Sequence, residues 1–230
     1  MQAELDTTHD VALLAAMTPA MALALAANFG SVAAWRAEFA ARAGSGTGRS
    51  SRIALTFAPR SGSLVHRWES EPAANVADAV PIVELDVAAH AEHGAATAAE
   101  IDALIKTIDW ALAYERYQVA VHYASEPFAA SCDEAADAEL RDVRRAGVFE
   151  QAETMIAGAR WRDPAEVGVW ANELPRDREV IVYCVYGHEV GRATALRLRA
   201  AGLEARFLRG GIDGWKAAGR PLQRKQRESA

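Results

Sequence analysis

Val180-Ile-Val-Tyr-Cys184-Val-Tyr-Gly-His-Glu-Val-Gly-Arg192 is the stretch that decides the fold. Val180 to Tyr183 is a short β-branched and aromatic run, the pattern of a strand buried on both faces of a sheet. Beyond it, Ala195, Leu196, Leu198 and Ala201 recur at helical spacing with Arg197 and Arg199 between them, and Gly202 supplies a stop. Cys184 is therefore expected where a strand ends and a tight loop rises to a helix N-terminus. Unpaired backbone N–H groups and the positive end of the helix dipole converge on such a loop. They favour a thiolate over a free thiol with its pKa of about 8.5. Cys184 is a candidate nucleophile, and the competing reading is a small buried hydrophobe that closes a strand.

The next segment, Phe207-Leu-Arg-Gly210-Gly211-Ile-Asp-Gly214-Trp215-Lys-Ala-Ala-Gly219-Arg-Pro221-Leu222, favours the nucleophile. Together the two stretches resemble the C-terminal half of a rhodanese-type sulfurtransferase domain. In that family a strand ends in the active cysteine, a short loop wraps its sulfur, and a Gly-Gly-x-x-x-Trp element follows the next strand. Upstream, Leu140-Arg-Asp142-Val-Arg144 resembles the strand and turn whose Asp-x-Arg element buttresses the loops, which gives Asp142 and Arg144 supporting roles. Phe149 follows at the family's spacing. Thr154-Met-Ile-Ala-Gly158-Ala159 matches a segment that commonly reads Gly-His-Ile-Pro-Gly-Ala, without its histidine and proline. Pro164 to Leu174 is expected to be helical, and this helix and strand alternation predicts an α/β/α layer with a central parallel sheet.

The resemblance implies that the Cys184 thiolate attacks the outer sulfur of a donor, forming a persulfide that a thiol or cyanide then removes. The substrate loop is Val185, Tyr186, Gly187, His188, Glu189, Val190, Gly191 and Arg192, whose amides would surround the outer sulfur. Gly187 allows the tight turn. Phosphatase relatives of the fold need arginine six positions after the cysteine, where this chain has Val190, so phosphoryl chemistry is disfavoured. Arg192 is expected to add positive potential at the loop rim. Many thiosulfate-using members place a cation directly after the cysteine; here Val185 stands there and Glu189 adds negative charge, so a low-charge persulfide or a protein persulfide is at least as good a donor as thiosulfate. His188 can serve as an acid or base, or simply pack the loop.

The chain has 230 residues, 51% hydrophobic, with a net charge of −6. That length allows one large domain or two small ones. The charge gives no footprint for nucleic acid or an anionic membrane. Two dissimilar cysteines, Cys132 and Cys184, make a disulfide framework unexpected and point to the cytoplasm. The uncharged run Val11 to Ala27 follows acidic residues and is interrupted at Thr18-Pro19, a helix N-cap and first-turn pair, so it reads as a helix rather than a targeting segment. Cys132 reads as an incidental surface thiol, with a resolving thiol for a Cys184 persulfide as the alternative.

Earlier in the chain a short helix is expected from Asp10 to Met17. Two more follow at Pro19–Asn28 and Ser31–Ala43, broken at Gly30. Ile53–Phe57 and Leu64–Trp68 are strands joined by turn chemistry at Pro59–Gly62. Pro81–Asp86 is a third strand, and a long helix is expected from Thr97 to Tyr117 with Thr97-x-x-Glu100 as capping box. Gln118–Tyr123 is expected as a further strand. Asn28-Phe-Gly-Ser31, Ser61-Gly-Ser63, Leu85-Asp86-Val-Ala-Ala-His90 and Thr107-Ile-Asp-Trp110, in this order, resemble the C-terminal domain of iron/manganese superoxide dismutases over about residues 19–117.

In that family an aspartate and a histidine four residues apart supply two metal ligands, matching Asp86 and His90, and suit iron, manganese or zinc. The family's other two ligands come from an N-terminal helical hairpin, for which the residues before Pro19 are too few. The tryptophan and glutamate between the matched ligands are Ala88 and Ala89 here. The expectation is a degenerate domain that keeps the fold without the redox chemistry and requires no cofactor. The opposing reading is a new zinc site at Asp86, His90 and His93.

The expected organisation is an α+β domain at 1–117 with a three-stranded antiparallel sheet, a linker at 118–137, the rhodanese-like domain at 138–222 and a tail at 223–230. Three functions compete. The first is a sulfurtransferase with a small-molecule sulfur donor and a thiol acceptor, whose N-terminal domain serves packing, homodimerisation or substrate access. The second is a metal-dependent oxidoreductase using Asp86 and His90. The third is a non-catalytic rhodanese-like sensor or interaction module.

Overall fold

The computed structural model describes residues 11–44, 52–68, 78–87, 97–136 and 138–225. The chain divides into two compact units, Met1–Pro59 with Ser63–Ala120, and Arg60–Gly62 with Val121–Ala230.

In the first unit α1 (residues 11–16) is followed by α2 (Pro19–Phe29) and α3 (Val32–Gly44). The Thr18 hydroxyl caps α2 by accepting the Met21 N–H at 3.2 Å. Gly30, at φ 89°, turns the chain in a conformation that disfavours a side chain. Ser31 then accepts the Ala34 N–H at 2.9 Å and starts α3. Strands β1 (Arg52–Ala58), β2 (Ser63–Trp68) and β3 (Val80–Asp86) form an antiparallel sheet in the order β2-β1-β3. Asn28 ties helix to hairpin, donating to Ala24 O at 2.7 Å and accepting the Leu64 N–H at 3.0 Å. The core gathers Met21, Leu25, Trp35, Phe39, Ile53, Leu55, Phe57 and Ile82, all at most 2% exposed.

The long helix expected at 97–117 is two helices, α4 (Ala98–Lys106) and α5 (Trp110–Ser125). The capping box at Thr97 and Glu100 forms. The break comes where Thr107 turns back to Leu104 O, through both its N–H at 3.0 Å and its hydroxyl at 2.7 Å. Asp109 then caps the next helix by accepting the Leu112 N–H at 3.0 Å. The strand expected at Gln118–Tyr123 is the last part of α5. Its buried residues Ala113, Tyr117, Ala120 and Val121 recur every three or four positions, whereas a strand would alternate.

The second unit carries a five-stranded parallel sheet in the order β4-β9-β8-β5-β7, built from β4 (Ala129–Ala130), β5 (Glu139–Asp142), β7 (Arg160–Trp161), β8 (Val180–Tyr183) and β9 (Ala205–Leu208). The segment expected as a linker at 118–137 is thus helical to Ser125, winds through a 3₁₀ turn at Glu126–Phe128 and enters the sheet as β4. Between the strands lie α6 (Ala146–Gln151), α7 (Val167–Trp170), α8 (Glu189–Ala200) and α9 (Gly211–Ala217). Pro164 to Glu173 is helical in three short pieces, with 3₁₀ turns at Pro164–Glu166 and Ala171–Glu173 on either side of α7. Strand β6 (Thr154–Ile156) pairs antiparallel with β10 (Leu222–Arg224), so the first residues of the expected tail are sheet.

β8 is buried at every residue, and its side chains alternate between two cores. Val180 and Val182 pack with Val143, Val167, Trp170, Leu198 and Phe207 on one face. Ile181 and Tyr183 pack with Met155, Ile156, Leu208, Ile212 and Trp215 on the other. Cys184 leaves the carboxyl end of this central strand, the edge at which open α/β sheets bind ligands. Among the described residues no helix is long and apolar enough to cross a membrane.

Candidate active site at Cys184

The loop from Cys184 to His188 is shaped by what binds its carbonyls. The first amides of α9 take two of them: Ile212 N–H donates to Cys184 O and Asp213 N–H to Val185 O, each at 3.0 Å. The close approach explains Gly210 and Gly211, both at positive φ. A Cβ on Gly211 would lie 2.5 Å from the Cys184 and Val185 carbonyl oxygens, and one on Gly187 would lie 2.7 Å from Leu208 O. The Gly187 carbonyl accepts from Arg192 Nε at 2.9 Å.

With those carbonyls engaged elsewhere, the N–H groups of Gly191, His188 and Gly187 bond to the Cys184 sulfur. Gly191 packs directly against that atom, since a Cβ there would sit 3.4 Å from Sγ. Cys184 is 6% exposed. Burial pushes its thiol above the ordinary cysteine range; the three amides oppose this, and the Glu189 charge adds to it. The thiol also lies 4.0 Å from the His188 carbonyl. The geometry therefore offers donors for negative charge on sulfur inside a surrounding that resists ionisation of the bare thiol.

The other loop residues divide by exposure. Tyr186 is 57% exposed, and its ring lies 5.7 Å from that of His188, also exposed. Val185 and Val190 are half-buried, and Glu189 is buried at the start of α8. Arg192, expected at the rim, is buried instead. Its guanidinium lies 4.1 Å over the Phe207 ring and donates to Ser125 Oγ at 3.1 Å and Glu126 Oε2 at 2.9 Å. Arg209 completes the group by donating to Glu126 Oε1 at 2.6 Å. Arg192 holds the Glu126 carboxyl below the usual carboxylate range. Ser125 and Glu126 were hidden from the sequence reading inside a presumed linker. The only local signal is Glu126-Pro127, which suits a helical first turn.

Asp142 and Arg144 form a buried ion pair, with Arg144 Nε at 2.9 Å from Asp142 Oδ1. Tyr183 joins them by donating its hydroxyl to Asp142 Oδ2 at 2.9 Å and accepting the Ile156 N–H at 3.2 Å. Burial and the Asp142 charge push the Tyr183 phenol far up, so it stays a donor. This network braces the residue before Cys184. Cys132 is half-buried against the core that contains Tyr183.

Asp86 ends β3, half-buried and in register with Arg52. His90 and His93 lie outside the described residues. Among the described residues, no three His, Cys, Asp or Glu side chains gather as a metal site. One carboxylate opposite an arginine does not hold a metal ion on its own.

Residues 128–218 match the rhodanese-like domain family, and this part of the chain is a rhodanese-like domain. The N-terminal part is superoxide dismutase-like: the chain is 39% identical over 105 residues to a superoxide dismutase [Fe] of Cupriavidus metallidurans, covering 44% of this chain and 53% of that protein. The chain thus spans about half the length of the curated relative it matches. Similar solved structures include a rhodanese-related protein from Thermoplasma volcanium, 22% identical, covering 41% of this chain and 96% of that one at a TM-score of 0.37. A rhodanese-like domain protein from Staphylococcus aureus is 21% identical, with 43% and 98% covered and a TM-score of 0.37. A thiosulfate sulfurtransferase from Pseudomonas aeruginosa is 20% identical, with 41% and 19% covered and a TM-score of 0.37.

Proposed function

We propose that the protein is a sulfurtransferase that carries a sulfane sulfur on Cys184. The supporting observation is the set of three N–H groups, from Gly187, His188 and Gly191, on one sulfur at the carboxyl end of the central strand. The Cys184 thiolate attacks the outer sulfur of a donor R–S–SH, the donor's S–S bond breaks, and R–S⁻ leaves with its electron pair. Cys184 then holds the outer sulfur as a persulfide. An acceptor thiolate attacks that sulfur, breaks the new S–S bond and regenerates the Cys184 thiolate, so neither step needs an external oxidant or reductant. The amides offset charge on sulfur while the bonds exchange. Val185 stands where a cation would meet an anionic donor, Glu189 adds negative charge, and Arg192 is buried against Glu126, which favours a low-charge small-molecule or protein persulfide over thiosulfate.

The raised thiol supports one other reading, a rhodanese-like module that does not turn over, because a neutral buried thiol is a poor nucleophile. Intact mass separates the two. Incubation with a small persulfide is expected to add one sulfur to the chain, with Cys184→Ser abolishing the gain and Cys132→Ser keeping it. Loading is expected to speed up as pH rises past the ordinary cysteine range, since ionisation in the folded chain is delayed. A folded chain that gains no sulfur at any pH would sink the transfer reading.

A further inference from the structure

We infer that Arg192 is a positioning residue for the Cys184 loop: its guanidinium holds the Gly187 carbonyl away from the sulfur and so keeps the His188 N–H of the same peptide aimed at Sγ. The inference rests on the proposed role of Cys184 for its purpose, though its geometry stands apart from it.

A trans peptide points its C=O and N–H in opposite directions, so fixing one fixes the other. Gly187, at φ 71°, is the loop residue with the greatest freedom to rotate. A rotation that brought its carbonyl round would present a negative dipole to the thiolate in place of a donor. Arg192 Nε bonds that carbonyl at 2.9 Å, and the guanidinium is itself pinned on three sides. Phe207 lies beneath it, Ser125 Oγ and Glu126 Oε2 take Nη1, and Arg209 holds the other oxygen of Glu126. Ser125 is fully buried. The planar fork of arginine spans the loop carbonyl and the α5 terminus together, which a lysine ammonium does not do. Because Glu126 answers the Arg192 charge, the contribution is direction rather than field.

That distinction is testable on the full-length chain. Iodoacetamide alkylation of Cys184, resolved by peptide mass and followed against pH, gives the midpoint of thiol ionisation. Arg192→Met is expected to move the midpoint upward by about one pH unit, the scale of one lost charge-assisted hydrogen bond. Arg192→Lys is expected to shift it upward as well, because the charge is kept and the fork is lost. Glu126→Ala decides the sign: a field-only role lowers the midpoint when a negative charge is removed, whereas a loosened clamp raises it. A midpoint for Glu126→Ala at or below that of the parent chain, or Arg192→Lys overlaying the parent, would overturn the inference. Should Arg192→Met fail the circular dichroism check of folding, these two variants still decide. Sulfur uptake by the parent chain is read separately by intact mass. Shifted midpoints in a chain that takes up no sulfur sink the transfer reading alone, and unchanged midpoints in a chain that loads sulfur sink the clamp alone.

Discussion

Two buried titratable side chains show how burial and local donors compete at single residues. At Cys184 three amides favour the anion and burial opposes it, with burial ahead. At His66, in the first unit, the side chain is enclosed by Phe29, Trp35 and Phe39, with ring centroids at 4.9, 5.9 and 5.7 Å. Its Nδ1 meets Glu38 Oε1 at 3.1 Å, and among the described residues its buried Nε2 has no partner. Burial lowers its pKa, Glu38 opposes the shift, and Arg42 beside Glu38 adds to it. The unfolded chain therefore takes up a proton before the folded one as pH falls through the ordinary histidine value of about 6.5. Stability present above that pH is expected to decline below it. Thermal melts across this range check the expectation: His66→Leu should flatten the dependence, and a parent melting temperature independent of pH would count against it. From sequence His66 was only a position in a strand, since neither its cage nor its depth has a local signature.

At the scale of elements, local chemistry predicted what local chemistry controls. The Thr97 and Glu100 capping box, the Gly30 break, the hairpin turn at Pro59–Gly62 and the β8 to α8 passage all follow from residue types at fixed short spacing. The misjudged boundaries came from continuity of apolar residues. Asp109 interrupts what looked like one helix, and Val119-Ala-Val121 looked like a strand inside α5. α9 joins element to site, because its first amides hold the Cys184 loop and Trp215 anchors it, 3% exposed with Nε1 donating to Pro221 O at 3.0 Å. Trp215→Ala is expected to cost about 3–5 kcal/mol, and Trp215→Phe only about 1 kcal/mol for the lost hydrogen bond. Chemical denaturation measures both. The alanine variant should also lose sulfur loading at concentrations of denaturant where the phenylalanine variant retains it.

For the molecule as a whole, the superoxide dismutase-like part, which carries Ala88 and Ala89 between Asp86 and His90, is expected to lack redox activity. Elemental analysis of the purified chain should find iron and manganese well below one per chain. Stoichiometric metal that disappears in Asp86→Ala would reverse the expectation. The sequence by itself determined both fold classes and Cys184 as the candidate nucleophile, because strand, turn and helix signals and the Gly-Gly-x-x-x-Trp segment are written in neighbouring residues. Only the tertiary structure decided how deep the sulfur lies, which amides reach it and that Arg192 is bound from behind by Ser125 and Glu126. The Arg192 contacts join residues more than sixty positions apart, and the desolvation that sets the thiol is a property of everything packed around it.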